Sequence, residues 1–111
     1  MATTYIGELE HLLLLAVLRL GPDAFGLRIA RELEERAGRR LSRGALYTLL
    51  DRLEDKGLLR WKLSAGGDDR DGLPRRLYTV SAGGRAALRD YRSTLRRMWR
   101  GVEHLIEEPQ S

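Results

Sequence analysis

At 111 residues, 42% of them hydrophobic and 32% charged, the chain has the size and composition of one ordinary globular domain with enough apolar side chains for a core. It has no cysteine, which excludes disulfides and thiolate chemistry, and no apolar run approaches the ~20 residues of a membrane span. A start of MATTYIGELEH lacks the basic segment and cleavage site of a signal peptide, so a cytoplasmic protein is expected. A net charge of +4 leans towards a polyanionic partner, although arginine-rich codon usage explains the same balance.

Leu9, Leu12, Leu13, Ala16, Val17 and Leu20 recur at helical spacing and predict an amphipathic helix ending before Gly21-Pro22. Leu27, Ala30, Leu33 and Ala37 predict a second, closed by Gly38. The stretch LSRGALYTLLDRLEDKGLL, residues 41–59, predicts a third. Ser42 is a good N-cap, because its hydroxyl can accept a bond from an orphaned amide of the first turn. Gly57 suits the left-handed position that follows a helix. Leu58 to Leu63 and Arg75 to Val80 then read as the strands of a hairpin around the loop SAGGDDRDG. Asp69-x-Asp71-Gly72 imitates part of a calcium loop, but Gly67 and Tyr78 stand where the first and last carboxylates belong. No Gly-Lys-Ser/Thr follows the glycines, so the loop is not a P-loop.

Ser81 opens the last and longest predicted helix, running to about Glu107, which at 1.5 Å per residue is roughly 40 Å. Along it Leu88, Tyr91, Leu95, Met98, Val102 and Leu105 alternate spacings of three and four, an a/d seam. The seam either folds back on the first helix or meets a second copy of the chain, and the second copy is the expected partner. The expected organisation is residues 1–80 as a DNA-binding unit and 81–111 as a dimerisation helix. A mainly α protein with a helix-turn-helix and a basic β-hairpin is a winged helix.

The third helix turns Leu46, Leu49, Leu50 and Leu53 inward. Ser42, Arg43, Gly44, Tyr47, Thr48 and Arg52 lie on the opposite side and flanks, where the first turns of a recognition helix meet bases and phosphates. Arg70, Arg75 and Arg76 flank the hairpin loop as candidate phosphate contacts. Asp51 and Asp55 share the polar face and would repel phosphates if they faced them squarely; the bland alternative is a solvated face.

From Leu9 to Glu107 the chain resembles the small PadR-type transcriptional regulators, of the subtype with a single C-terminal helix. The resemblance rests on the leucine-rich first helix, Phe25-Gly26 followed by Ile29, GALYTLLDRLEDKGLL, and GLPRRLYTVSAGGR. It departs at Leu27, Leu73 and Asp51, where many relatives carry an aromatic, an arginine and a basic residue. The resemblance implies a winged helix, a dimerisation helix and a small-molecule effector, aromatic or amphipathic, near the dimer centre. Leu95 and Trp99 are the candidate effector residues: Trp99 lies beside the seam, between it and the stripe Arg85, Arg89, Arg92, Arg96, Arg100. Packing for Trp99 and solvation for the stripe are the bland alternatives.

His11 and His104 fall on different elements with no further ligand at metal spacing, and Ser42 and Ser81 read as caps, not nucleophiles. No enzyme, cofactor or metal site is expected. The sequence therefore points to a homodimeric transcriptional repressor that binds a palindromic site in double-stranded DNA and is released by an effector. A protein-interaction adaptor on the same fold is the competing reading.

Overall fold

The computed structural model describes residues 6–64 and 74–107. The order is α1 (Glu8–Leu20), a 3₁₀ turn (Gly21–Asp23), α2 (Gly26–Ala37), α3 (Arg43–Asp55), β1 (Leu59–Leu63), β2 (Arg76–Val80), α4 (Ala82–Trp99) and a second 3₁₀ turn (Glu103–Ile106). The mainly helical winged-helix class read from the sequence is the class observed.

The expected boundaries of α3 have local causes. Ser42 Oγ accepts the Ala45 N–H at 3.1 Å and caps α3. At its other end Gly57, with φ 77°, takes the left-handed position. Gly57 N–H donates to the Glu54 carbonyl at 2.8 Å and Leu58 N–H to the Leu53 carbonyl at 2.9 Å. That pair of bonds, with Leu53 and Leu58 both buried, is a Schellman ending, so the helix stop also aims the chain into β1.

Leu13 and Leu14 of α1, Ile29 and Leu33 of α2, Leu50 and Leu53 of α3, Leu59 of β1 and Val80 of β2 are fully buried in one cluster. The strands pair antiparallel with Leu59 opposite Val80, Trp61 opposite Tyr78 and Leu63 opposite Arg76. Strand alternation then puts these six on one face and Arg60, Lys62, Leu77 and Thr79 on the other. Tyr78 N–H also donates to the Ala24 carbonyl at 2.8 Å, tying the hairpin base to the turn before α2.

Ser81 joins the wing to α4. Its hydroxyl donates to the Gly57 carbonyl at 2.6 Å and accepts the Gly84 N–H at 3.0 Å, and its own N–H meets the Leu58 carbonyl at 3.1 Å. Gly84 lies so close to the Leu58 carbonyl and Val80 that a Cβ there would collide with both. Ala87 and Leu88 are buried in the common core, so the first half of α4 packs with residues on the other side of the 80/81 boundary.

The expected helix to Glu107 is corrected. The α-helix ends at Trp99, giving ~27 Å for its 18 residues rather than 40 Å. Arg100 leaves helical geometry at ψ 121°, and Gly101 takes φ 87°, a conformation in which glycine carries no Cβ penalty. The seam thus runs on α4 only from Leu88 to Met98; Val102 and Leu105 lie on the turn beyond it.

Candidate functional site

α3 divides as its sequence requires. Leu46, Leu49, Leu50 and Leu53 are buried, while Ser42, Arg43, Gly44, Thr48, Asp51 and Arg52 are exposed. Nothing lies within 4 Å of where a Gly44 Cβ would stand, so the backbone there is open to close approach. The first-turn amides of Arg43 and Gly44 have no intrahelical carbonyl, as at any helix start, and they add partial positive charge beside the Arg43 guanidinium. Tyr47 sits differently from its neighbours. It is half-buried, packs on the core, and its hydroxyl rests against Gly26, the first residue of α2. A Cβ on Gly26 would collide with that hydroxyl, so glycine lets the two helices of the helix-turn-helix meet at this point.

In the wing, the Arg75 guanidinium stacks 4.1 Å from the centroid of the Phe25 ring, and Arg76 stands 4.1 Å over Trp61. Arg76 also lies 3.7 Å from the Asp51 carboxylate of α3, a loose pair with both side chains largely in water. Both wing cations are thereby placed alongside α2 and α3. Arg70 lies outside the described residues.

A second region forms between α1 and α4, where a groove of about 860 Å³ is lined by His11, Leu15 and Leu18 from one side and Leu88, Leu95 and Trp99 from the other. The whole stripe Arg85, Arg89, Arg92, Arg96, Arg100 borders it. The two candidate effector residues, Leu95 and Trp99, thus share one concavity. Of the seam, Leu88 is buried and Tyr91 half-buried within the chain itself. The Tyr91 ring lies 4.3 Å from His11, whose pKa is lowered by burial. Leu95, Met98, Val102 and Leu105 remain exposed, Met98 to 72%.

Sequence reasoning missed the α1 side of this groove. The signal was present: Leu12 to Leu15 and Leu18 make α1 apolar over more of its circumference than one core face needs. It also missed Glu10, a buried carboxylate that accepts the Gly7 N–H at 3.0 Å and the Lys56 ammonium at 2.9 and 3.0 Å, fastening α1 to the end of α3. Among the described residues no cluster of three metal-ligating side chains occurs, and no helix is long and apolar enough to cross a membrane.

A helix-turn-helix whose third helix exposes Arg43 and Arg52, followed by a two-stranded hairpin that carries cations beside it, defines a winged-helix protein. The chain belongs to the transcriptional regulator PadR-like family, whose model matches residues 14–90. Solved structures similar to it include a PadR family transcriptional regulator from Eggerthella lenta, 28% identical, with a TM-score of 0.63 over 92% of this chain and 88% of that one. A PadR family regulator from Clostridium difficile is 23% identical with a TM-score of 0.72, covering 91% of this chain and all of that one. Bacillus subtilis PadR, solved in complex with operator DNA, is 22% identical with a TM-score of 0.61; the match covers 93% of this chain and 49% of that one. No curated protein matches the chain.

Proposed function

We propose that this transcriptional regulator acts by binding DNA in the cytoplasm, as a homodimeric repressor on a palindromic operator. The reading is carried by the exposed face of α3, where Ser42, Arg43, Gly44, Thr48 and Arg52 project away from four buried leucines and next to the wing. In this reading α3 enters the major groove with its N-terminal turns, Tyr47 contacts DNA from its place against Gly26 of α2, and Arg70, Arg75 and Arg76 serve phosphates. A likeness to a structure solved with operator DNA supports it. Leu95 and Met98, exposed on α4, with Val102 and Leu105 on the turn after it, form the face for a second copy, Leu88 and Tyr91 supporting it from below. Leu95 and Trp99 hold the effector that releases DNA. The established family and the exposed arginines at the polar face of α3 favour a regulator over an enzyme.

The test is fluorescence anisotropy with a labelled duplex taken from upstream of the protein's own gene. Saturable binding is expected, with log affinity falling linearly against log salt by about 0.9 per phosphate contacted. No binding to any duplex at low salt would leave the adaptor reading in its place.

A further inference from the structure

Arg75 and Arg76 of the wing are held at both ends. Arg76 pairs with Leu63 in the strand ladder, and the Arg75 backbone is closed against Ser64. Ser64 N–H donates to the Arg75 carbonyl at 2.7 Å, and Arg75 N–H donates to Ser64 Oγ at 3.0 Å. Each guanidinium then rests on an aromatic ring. Trp61 stands opposite Tyr78, so Arg76 is its diagonal neighbour on one face of the hairpin and reaches over the indole, 4.1 Å from the centroid. Phe25 caps the start of α2, and the Tyr78 N–H bond to the Ala24 carbonyl, 2.8 Å, fixes the chain one residue before it. With that bond in place the Phe25 ring lies 4.1 Å from the Arg75 guanidinium.

A ring face attracts a cation without using its N–H donors, which stay in the guanidinium plane and fit a phosphate. The Arg76 side chain remains 42% exposed, so the ring does not shut it away. An arginine loose on a strand gives up rotamer freedom when it meets a phosphate; one already laid on a ring gives up less. We infer that Phe25 and Trp61 are positioning residues for DNA binding: their rings set the Arg75 and Arg76 guanidiniums in place before the wing meets a phosphate. The inference rests on the DNA reading above and adds to it two residues that act through others. Phe25 lies in the helix-turn-helix and Arg75 in the wing, so one half of the domain prepares the grip of the other. Trp61 also packs on the core, and that role is separable from its place under Arg76.

The experiment is fluorescence anisotropy of the full chain with two labelled duplexes, one from upstream of its own gene and one unrelated sequence of equal length. Trp61→Leu and Phe25→Leu should each weaken binding to both duplexes about two- to fivefold, and together about tenfold. Trp61→Phe and Phe25→Tyr keep a ring face and should bind within about twofold of wild type. In an Arg76→Gln background Trp61→Leu should cost nothing further, because the ring acts through Arg76; Phe25→Leu should behave likewise with Arg75→Gln. The Trp99→Phe variant leaves Trp61 as the sole tryptophan, and its emission should shift when Arg76 is replaced by Gln, with no change at Trp61 itself. Folded Leu variants with wild-type affinity, a loss that persists without the arginine, or Trp61 emission indifferent to Arg76 would each overturn the inference. A wild type that binds neither duplex removes the DNA reading and this inference with it. A wild type that binds while the Leu variants bind equally well removes only the platforms.

Discussion

Replacing Lys56 with Met isolates the contact that fastens α1 to the far end of α3. The Glu10 side chain is 8% exposed, against 30% for Lys56, so the carboxylate is the partner that cannot reach water. Removing one partner of a fully buried pair costs ~3–5 kcal/mol. The Gly7 N–H still serves Glu10 in the variant, and the original ammonium was partly hydrated, which brings the expected loss to about 2–3 kcal/mol. For a domain of this size about 1 kcal/mol moves Tm by about 4–8 °C. Glu10→Gln should cost less, about 1 kcal/mol, because the amide keeps an acceptor for Gly7 and Lys56 can turn to solvent. The pH dependence follows from the same geometry. Burial raises the Glu10 pKa, but the Gly7 N–H, the Lys56 ammonium and the more distant Arg52 outweigh it and leave the value below the ordinary 4.5. With the folded value depressed, Glu10 contributes its stability in full above about 4.5 and loses it as pH falls through the folded value. Without Lys56 the folded value rises, so the deficit of the Met variant should be largest at pH 7 and shrink towards pH 4. Urea unfolding followed by circular dichroism at both pH values, at fixed protein concentration, measures this. A deficit under ~0.5 kcal/mol at pH 7, or one just as large at pH 4, would refute the reasoning.

Gly84→Ala should destabilise by about 1–3 kcal/mol in the same urea assay, since its Cβ meets the Leu58 carbonyl and Val80, neither of which can swing aside. Arg43→Ala should weaken operator binding by about 1–3 kcal/mol. Tyr47→Phe, which keeps the ring packed, should weaken it less; unchanged anisotropy in both variants would remove α3 as the reading helix. Asp51→Asn releases Arg76 from its 3.7 Å carboxylate and takes a negative charge off the DNA-facing side, so affinity for any duplex should rise severalfold. A variant that binds no better than wild type would show that Asp51 and Arg76 do not compete with phosphate. Met98→Glu puts a carboxylate into the exposed part of the seam, and light scattering at high protein concentration should then report a monomer.

The parts of the fold legible in the sequence are those with local causes. Ser42, Gly57 and the capping of α4 by Ser81 act within a few residues, and the change of hydrophobic period from helical to alternating marks the hairpin. The exposed face of α3 was legible as the complement of its leucines. The end of α4 is hidden in the sequence because the three-four spacing continues through Gly101, and spacing carries no information on the backbone angle that a glycine permits. The surroundings of the wing arginines were not legible either. Phe25 and Trp61 come under Arg75 and Arg76 only once α2, β1 and β2 are assembled. The arginine stripe could be counted from sequence, but the facing apolar wall of its groove belongs to α1, far away in the chain.

Ser81 holds three backbone positions at once, and this makes α4 a lever. Its bonds to Gly57, Leu58 and Gly84 hold the start of α4 against the turn that follows α3. Through these bonds a tilt of α4 would be passed on to α3. Over an arm of ~27 Å, a tilt of about ten degrees displaces the far end by ~5 Å, one helical turn. Two such arms joined at their tips would change the separation of their recognition helices by a comparable amount, against a half-site spacing of ~34 Å. In a dimer built on α4, small changes in how the two helices cross become large changes in reach, and a ligand wedged beside Trp99 would act where the two arms meet.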